Sequence, residues 1–137
     1  MTANNTMPKI EYYTPITKEM ILNYLKSIKP TLEKDGVIKL GLFGSYANGY
    51  AKNISSDIDI VVEMNDEFHK KFLGCQYFAY IGNIRENIKK HFHRNVDICD
   101  AKYYRGKTNK EVFFRGAIYV WKRRKRKIAR TFRKSHI

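Results

Sequence analysis

From Thr17, a residue suited to capping a helix, apolar side chains recur at Ile21, Leu25, Ile28 and Leu32, a spacing that places them on one helical face. Pro30 is expected to interrupt or kink this helix, and Asp35-Gly36 to end it. Val37 to Phe43 then alternates as a strand does, with Ile38, Leu40 and Leu42 on one side. After Gly44-Ser45 and the polar connection YANGYAKNISS comes SDIDIVVEM, in which Ile58, Ile60 and Val62 alternate with Asp57, Asp59 and Val61, predicting a second strand with one acidic edge. Residues 66–92 read as a helix on the spacing of Phe68, Phe72, Cys75, Ala79, Ile84 and Ile88, although Gly74 and Gly82 weaken it. Asn95 to Ala101 offers a third short strand, with Val96 and Ile98 on one face and Asp97 and Cys99 on the other. A final helix is expected from near Asn109, carrying Phe114, Ile118, Trp121, Ile128 and Phe132, so that an apolar seam runs on as an amphipathic C-terminal extension. Residues 1–16 show no period and read as a loose arm, which divides the chain into that arm, a domain over 17–121 and an extension over 122–137.

Composition narrows the class. A chain of 137 residues that is 43% hydrophobic, with only 8 Gly and 3 Pro, has material for one core and is not disordered over most of its length. No apolar run approaches a membrane span, and MTANNTMPKI lacks the charged start and apolar stretch of a secretory signal, so a cytoplasmic protein is expected. Cys75 and Cys99 are too few for a disulfide framework and have no zinc spacing; they read as buried, reduced thiols. The net charge of +14 is uneven, because residues 122–137 hold nine Lys or Arg and no acid, which leaves the remainder with 18 basic against 13 acidic residues. The run from Lys122 to Lys134 is either a solvated tail or a surface for RNA or an acidic partner.

Strand alternation puts Asp57 and Asp59 on one face while Ile58 and Ile60 point to the core. Two carboxylates side by side repel unless a cation sits between them, and hard oxygen ligands favour Mg²⁺ or Mn²⁺ with positions left open for water and phosphates. Gly44-Ser45, directly after a strand, lets an anion approach the backbone, so a phosphate cradle and a paired-Asp metal edge on consecutive strands suggest a bound nucleoside triphosphate. Asp97 supplies a third carboxylate, a further ligand in a two-metal site that could itself act as the base for an attacking hydroxyl. Asp100 falls on the opposite face and reads as structural, and His69, His91, His93 and His136 have no metal spacing with these acids.

The stretch Leu40 to Val62, with Gly-Ser after a strand and Asp-x-Asp about a dozen residues later, resembles the signature of the nucleotidyltransferase superfamily that includes DNA polymerase beta. With R-N-V-D-I at 94–98 and R-G-A-I-Y-V at 115–120, residues 17–121 resemble a minimal nucleotidyltransferase (MNT) domain. That resemblance implies a mixed, twisted sheet flanked by helices, two Mg²⁺ ions, ATP as substrate, and transfer of a nucleoside monophosphate to a hydroxyl. Carried over residue by residue, Gly44 and Ser45 would bind the triphosphate, Asp57 and Asp59 would ligate the metals, and Asp97 would complete the site. Many small MNT proteins are antitoxins that transfer AMP to a tyrosine of a HEPN-domain toxin. The chain departs from the pattern at Asn48, where Arg is frequent, at Gly116, where Glu is frequent, and in the basic extension.

Two other readings stand beside this one. A small-molecule acceptor such as an aminoglycoside hydroxyl would need a pocket that 137 residues leave little material to build. A non-catalytic module could neutralise a toxin by contact or grip RNA through the tail, where Trp121, Ile128 and Phe132 are interleaved with basic residues.

Overall fold

The computed structural model describes residues 10–11, 14–52, 56–106 and 108–122. Helix α1, Lys18–Asp35, starts where Thr17 Oγ1 accepts the Met20 N–H at 3.2 Å and ends at Gly36, a left-handed cap whose N–H reaches the carbonyls of Glu33 and Leu32. It runs unbroken through Pro30, because Ile21 and Leu25 before the proline and Leu32 after it are all buried in one core and hold both halves in place.

Strand β1, Val37–Phe43, leads into the five-residue helix α2, Gly44–Asn48, and then to β2, Ile58–Met64. Two helices, α3 (Asp66–Lys71) and α4 (Cys75–Phe92), carry the chain back to β3, Val96–Asp100. After a 3-10 turn, Ala101–Tyr103, and a single helical turn α5, Lys110–Phe113, the chain returns as β4, Ile118–Lys122. The four strands form one mixed sheet in the order β3-β2-β1-β4: β1 is antiparallel to both β2 and β4, and the α3–α4 crossover makes β3 parallel to β2. The mixed sheet flanked by helices is the expected fold class. Leu40, Leu42, Ile58, Ile60 and Val62 meet α1 and α4 in the main core, which also takes in Ile21, Leu25, Ile84, Ile88 and Phe92.

Several local expectations give way. Ile118 and its neighbours form an edge strand instead of continuing a helix from Asn109: Gly116 sits at φ 81°, outside helical space, and Ile118, Tyr119, Val120 and Trp121 are β-branched or aromatic residues that suit a sheet. The remainder of the expected extension, with Ile128, Phe132 and the basic run beyond Lys122, lies outside the described residues. The predicted helix over 66–92 is two, parted at Gly74, and this break re-phases α4 so that Ile81, Ile84, Ile88 and Phe92 are buried. Cys75 is therefore exposed, contrary to the buried thiol expected, while Cys99 is half-buried. In β1 an irregularity between Val37 and Lys39 brings Val37 into the core in place of Ile38.

The N-terminal arm is docked where it is described. Ile10 and Ile16 are buried in the main core, and the buried Arg94 donates to the carbonyls of Thr14 at 2.6 Å and Phe92 at 3.0 Å. A buried guanidinium satisfied by backbone carbonyls in this way ties the arm to the end of α4. Among the described residues no helix is long and apolar enough to cross a membrane.

Candidate active site

The acidic edge forms on the sheet face turned away from α1 and α4. Parity decides this: Ile58 and Ile60 are fully buried, so Asp59 between them must point the other way. Parallel pairing then sets Asp59 beside Asp97, its register partner, and antiparallel pairing sets Asp59 opposite Phe43, the last residue of β1. Asp57 stands just before β2, exposed, and Asp97 is exposed as well, while Asp59 is half-buried.

Gly44 closes this corner. Its φ of 76° is left-handed, and a Cβ there would run into the Asp59 carboxylate. The backbone entering α2 thus lies directly against the central acid, an approach that only glycine permits. Ser45 follows in the first turn of α2, so the structure gathers Gly44, Ser45, Asp57, Asp59 and Asp97 at one end of β1, β2 and β3.

Electrostatics follow from the geometry. The Asp59 carboxyl is pushed up to about 6, first by burial and then by the negative charges of Asp97 and Asp57. A carboxylate in that position is relieved by a cation, so the donor set fits a hard divalent ion. Among the described residues no three His, Cys, Asp or Glu side chains converge as a ready-made cage. Beside Asp97, the Cys99 thiol is raised, chiefly by burial and then by the charges of Asp97 and Asp100, with Lys110 drawing it down.

Asp100 takes no part in the cluster. It accepts the Tyr77 hydroxyl at 2.6 Å and the Lys102 N–H at 3.0 Å, a structural role as its parity foretells. His69 contacts Tyr103, and His91 stacks on Tyr24 at 4.5 Å between centroids, both away from the acids.

Other contributors were not visible in the spacing of polar residues. Phe43, Val61, Ala101 and Phe114 form a second small core on the acidic face, with the Phe43 and Phe114 rings at 5.0 Å and Tyr104 packed against it. The parity of Phe43, opposite to Leu40 and Leu42, is the signal that could have found it. On the same face Lys39 and Glu63 pair across β1 and β2 at 3.2 Å.

No curated protein matches the sequence. A crystal structure of a toxin-antitoxin with AMP-PNP is similar in fold, with a TM-score of 0.52 and 19% identity over 88% of this chain and 83% of the other. The MntA-HpeT toxin-antitoxin mutant gives a TM-score of 0.48 and 16% identity over the same shares. The nucleotidyltransferase domain family matches residues 19–129, and the chain belongs to it.

Proposed function

We propose that this chain is a Mg²⁺-dependent nucleotidyltransferase that moves AMP from ATP to a tyrosine hydroxyl of a HEPN-domain toxin and so acts as its antitoxin. The observation that carries the reading is the registered pair Asp59 and Asp97 at the strand end where Gly44 lies against Asp59. The toxin-antitoxin with AMP-PNP, similar in fold, supports both an adenine triphosphate as donor and a protein as partner. An exposed apolar hollow also favours a macromolecular partner: Leu73, Phe78 and Tyr103 line it at 65%, 73% and 46% exposure.

Gly44 and Ser45 receive the triphosphate, and Asp57, Asp59 and Asp97 would hold the divalent ions, which when bound would supply positive charge to offset the phosphates and the developing transition state. The acceptor hydroxyl gives its proton to Asp97 as its oxygen bonds to the α-phosphorus, and the bond from that phosphorus to the bridging oxygen breaks in line, releasing pyrophosphate. Phe43, Phe114 and Tyr104 pack together on the same face as the acids.

Incubation with Mg²⁺ and ATP labelled on the α-phosphate, with host lysate or a purified HEPN protein, tests this. Label should move to a protein band with the wild type and not with an Asp57→Asn/Asp59→Asn variant. Label on RNA, or on a purified aminoglycoside alone, would change the acceptor assigned; no transfer while a partner stays bound would make the chain a binding module.

A further inference from the structure

Asn48, the last residue of α2, is exposed, yet it is held from two sides. Its Nδ2 donates to the Gly44 carbonyl at 2.9 Å. Its Oδ1 lies against Gly116, so close that a Cβ on Gly116 would collide with it, and Gly116 is itself at φ 81°. Gly116 lies in the turn before β4, whose Ile118 pairs with Leu42 of β1, two residues before Gly44. A continuous line of contact thus runs from Asp59 through Gly44 and Asn48 to the turn that starts the edge strand.

We propose that Asn48 is a positioning residue for the Gly44-Ser45 cradle, and that Gly116 is required because it leaves Asn48 room to act. The Gly44 carbonyl and the Ser45 N–H belong to one planar peptide and point in opposite directions. A hydrogen bond that fixes the carbonyl therefore fixes the direction of the Ser45 amide. Five residues of helix do not hold that plane by themselves, since most helical stability at such lengths comes from outside contacts. Asn48 supplies one, and its own rotamer is limited by the floor that Gly116 forms. The inference rests on the reading that Gly44 and Ser45 receive the triphosphate.

The test is direct binding of AMP-PNP with Mg²⁺ to the full chain, alongside kcat and KM for transfer and the melting temperature. Asn48→Ala should raise the Kd for AMP-PNP about three- to tenfold, the loss expected for one hydrogen bond, and raise KM for ATP more than it lowers kcat. Asn48→Asp, which keeps the shape but turns an acceptor toward the Gly44 carbonyl, should weaken binding further. Gly116→Ala should raise Kd in the wild-type background and add nothing to it in Asn48→Ala, whatever it does to stability, because the two changes act through one contact. Binding by Asn48→Ala equal to wild type, or a Gly116→Ala effect on Kd of the same size in both backgrounds, would overturn the inference alone. A wild type that does not bind AMP-PNP would overturn the triphosphate reading as well.

Discussion

On one face of the sheet Leu40, Leu42, Ile58, Ile60 and Val62 are fully buried beneath α1 and α4; on the other, Asp59 and Asp97 stand side by side and Phe43, Val61, Ala101 and Phe114 gather into a smaller core. The same strands make both faces. Parity keeps most of the burial off the acidic face, so the acids can repel one another at exposed or half-buried positions while neighbours one step along the chain supply most of the burial that keeps the sheet together.

The sharpest way to break this division is to remove charge from one face and volume from the other. Asp59→Asn should lower transfer about a thousandfold, the scale for losing a central electrostatic group, with an unchanged circular dichroism spectrum; the α-labelled ATP assay reads it. Ile60→Ala, one position along, should cost about 3 kcal/mol in urea unfolding, as deletion of a fully buried branched side chain does, while the folded fraction retains its specific activity.

A smaller effect separates the faces by pH. Because the folded pKa of Asp59 is raised to about 6, the unfolded chain releases this proton more readily, so the metal-free protein is most stable below about pH 4 with respect to this group and loses stability as pH rises through 6. Asp59→Asn should therefore be more stable than wild type at pH 7, by about 1 kcal/mol once solvent screening is allowed for, and equal to it near pH 4. Thermal melts across that range check the sign, and Mg²⁺ should narrow the gap at pH 7. Least affected should be Lys39→Ala, which breaks a part-exposed pair with Glu63 and should change urea stability by about 0.5 kcal/mol, less in high salt.

Most of the acidic face was legible because strand parity is a strict rule: once Ile58 and Ile60 are core, Asp57 and Asp59 have one place to go, and Gly44-Ser45 after a strand marks the other side of the corner. Helix α1 was legible from Thr17 to Gly36 for a similar reason, since cap, stripe and stop agree. What the pattern hid were features that depend on contacts across the chain. Ile118 and Trp121 fit a helical seam by spacing, and only pairing with β1, after the turn at Gly116, makes them an edge strand. Gly74 divides two helices whose apolar residues count as one run. Nothing in the pattern marks Arg94 as buried; the carbonyls of Thr14 and Phe92 hold it there. Asn48 and Gly116, far apart in sequence, stood out only as two separate departures from the family pattern, and nothing in the sequence joined them.

The parallel pairing of β2 with β3 also makes the two acids depend on different stretches of chain. Gly44 meets Asp59 through the antiparallel β1–β2 pair, whereas Asp97 is brought beside Asp59 only by the whole α3–α4 crossover. A change that shifts the crossover would therefore separate Asp97 from Asp59 while leaving the Gly44 contact in place.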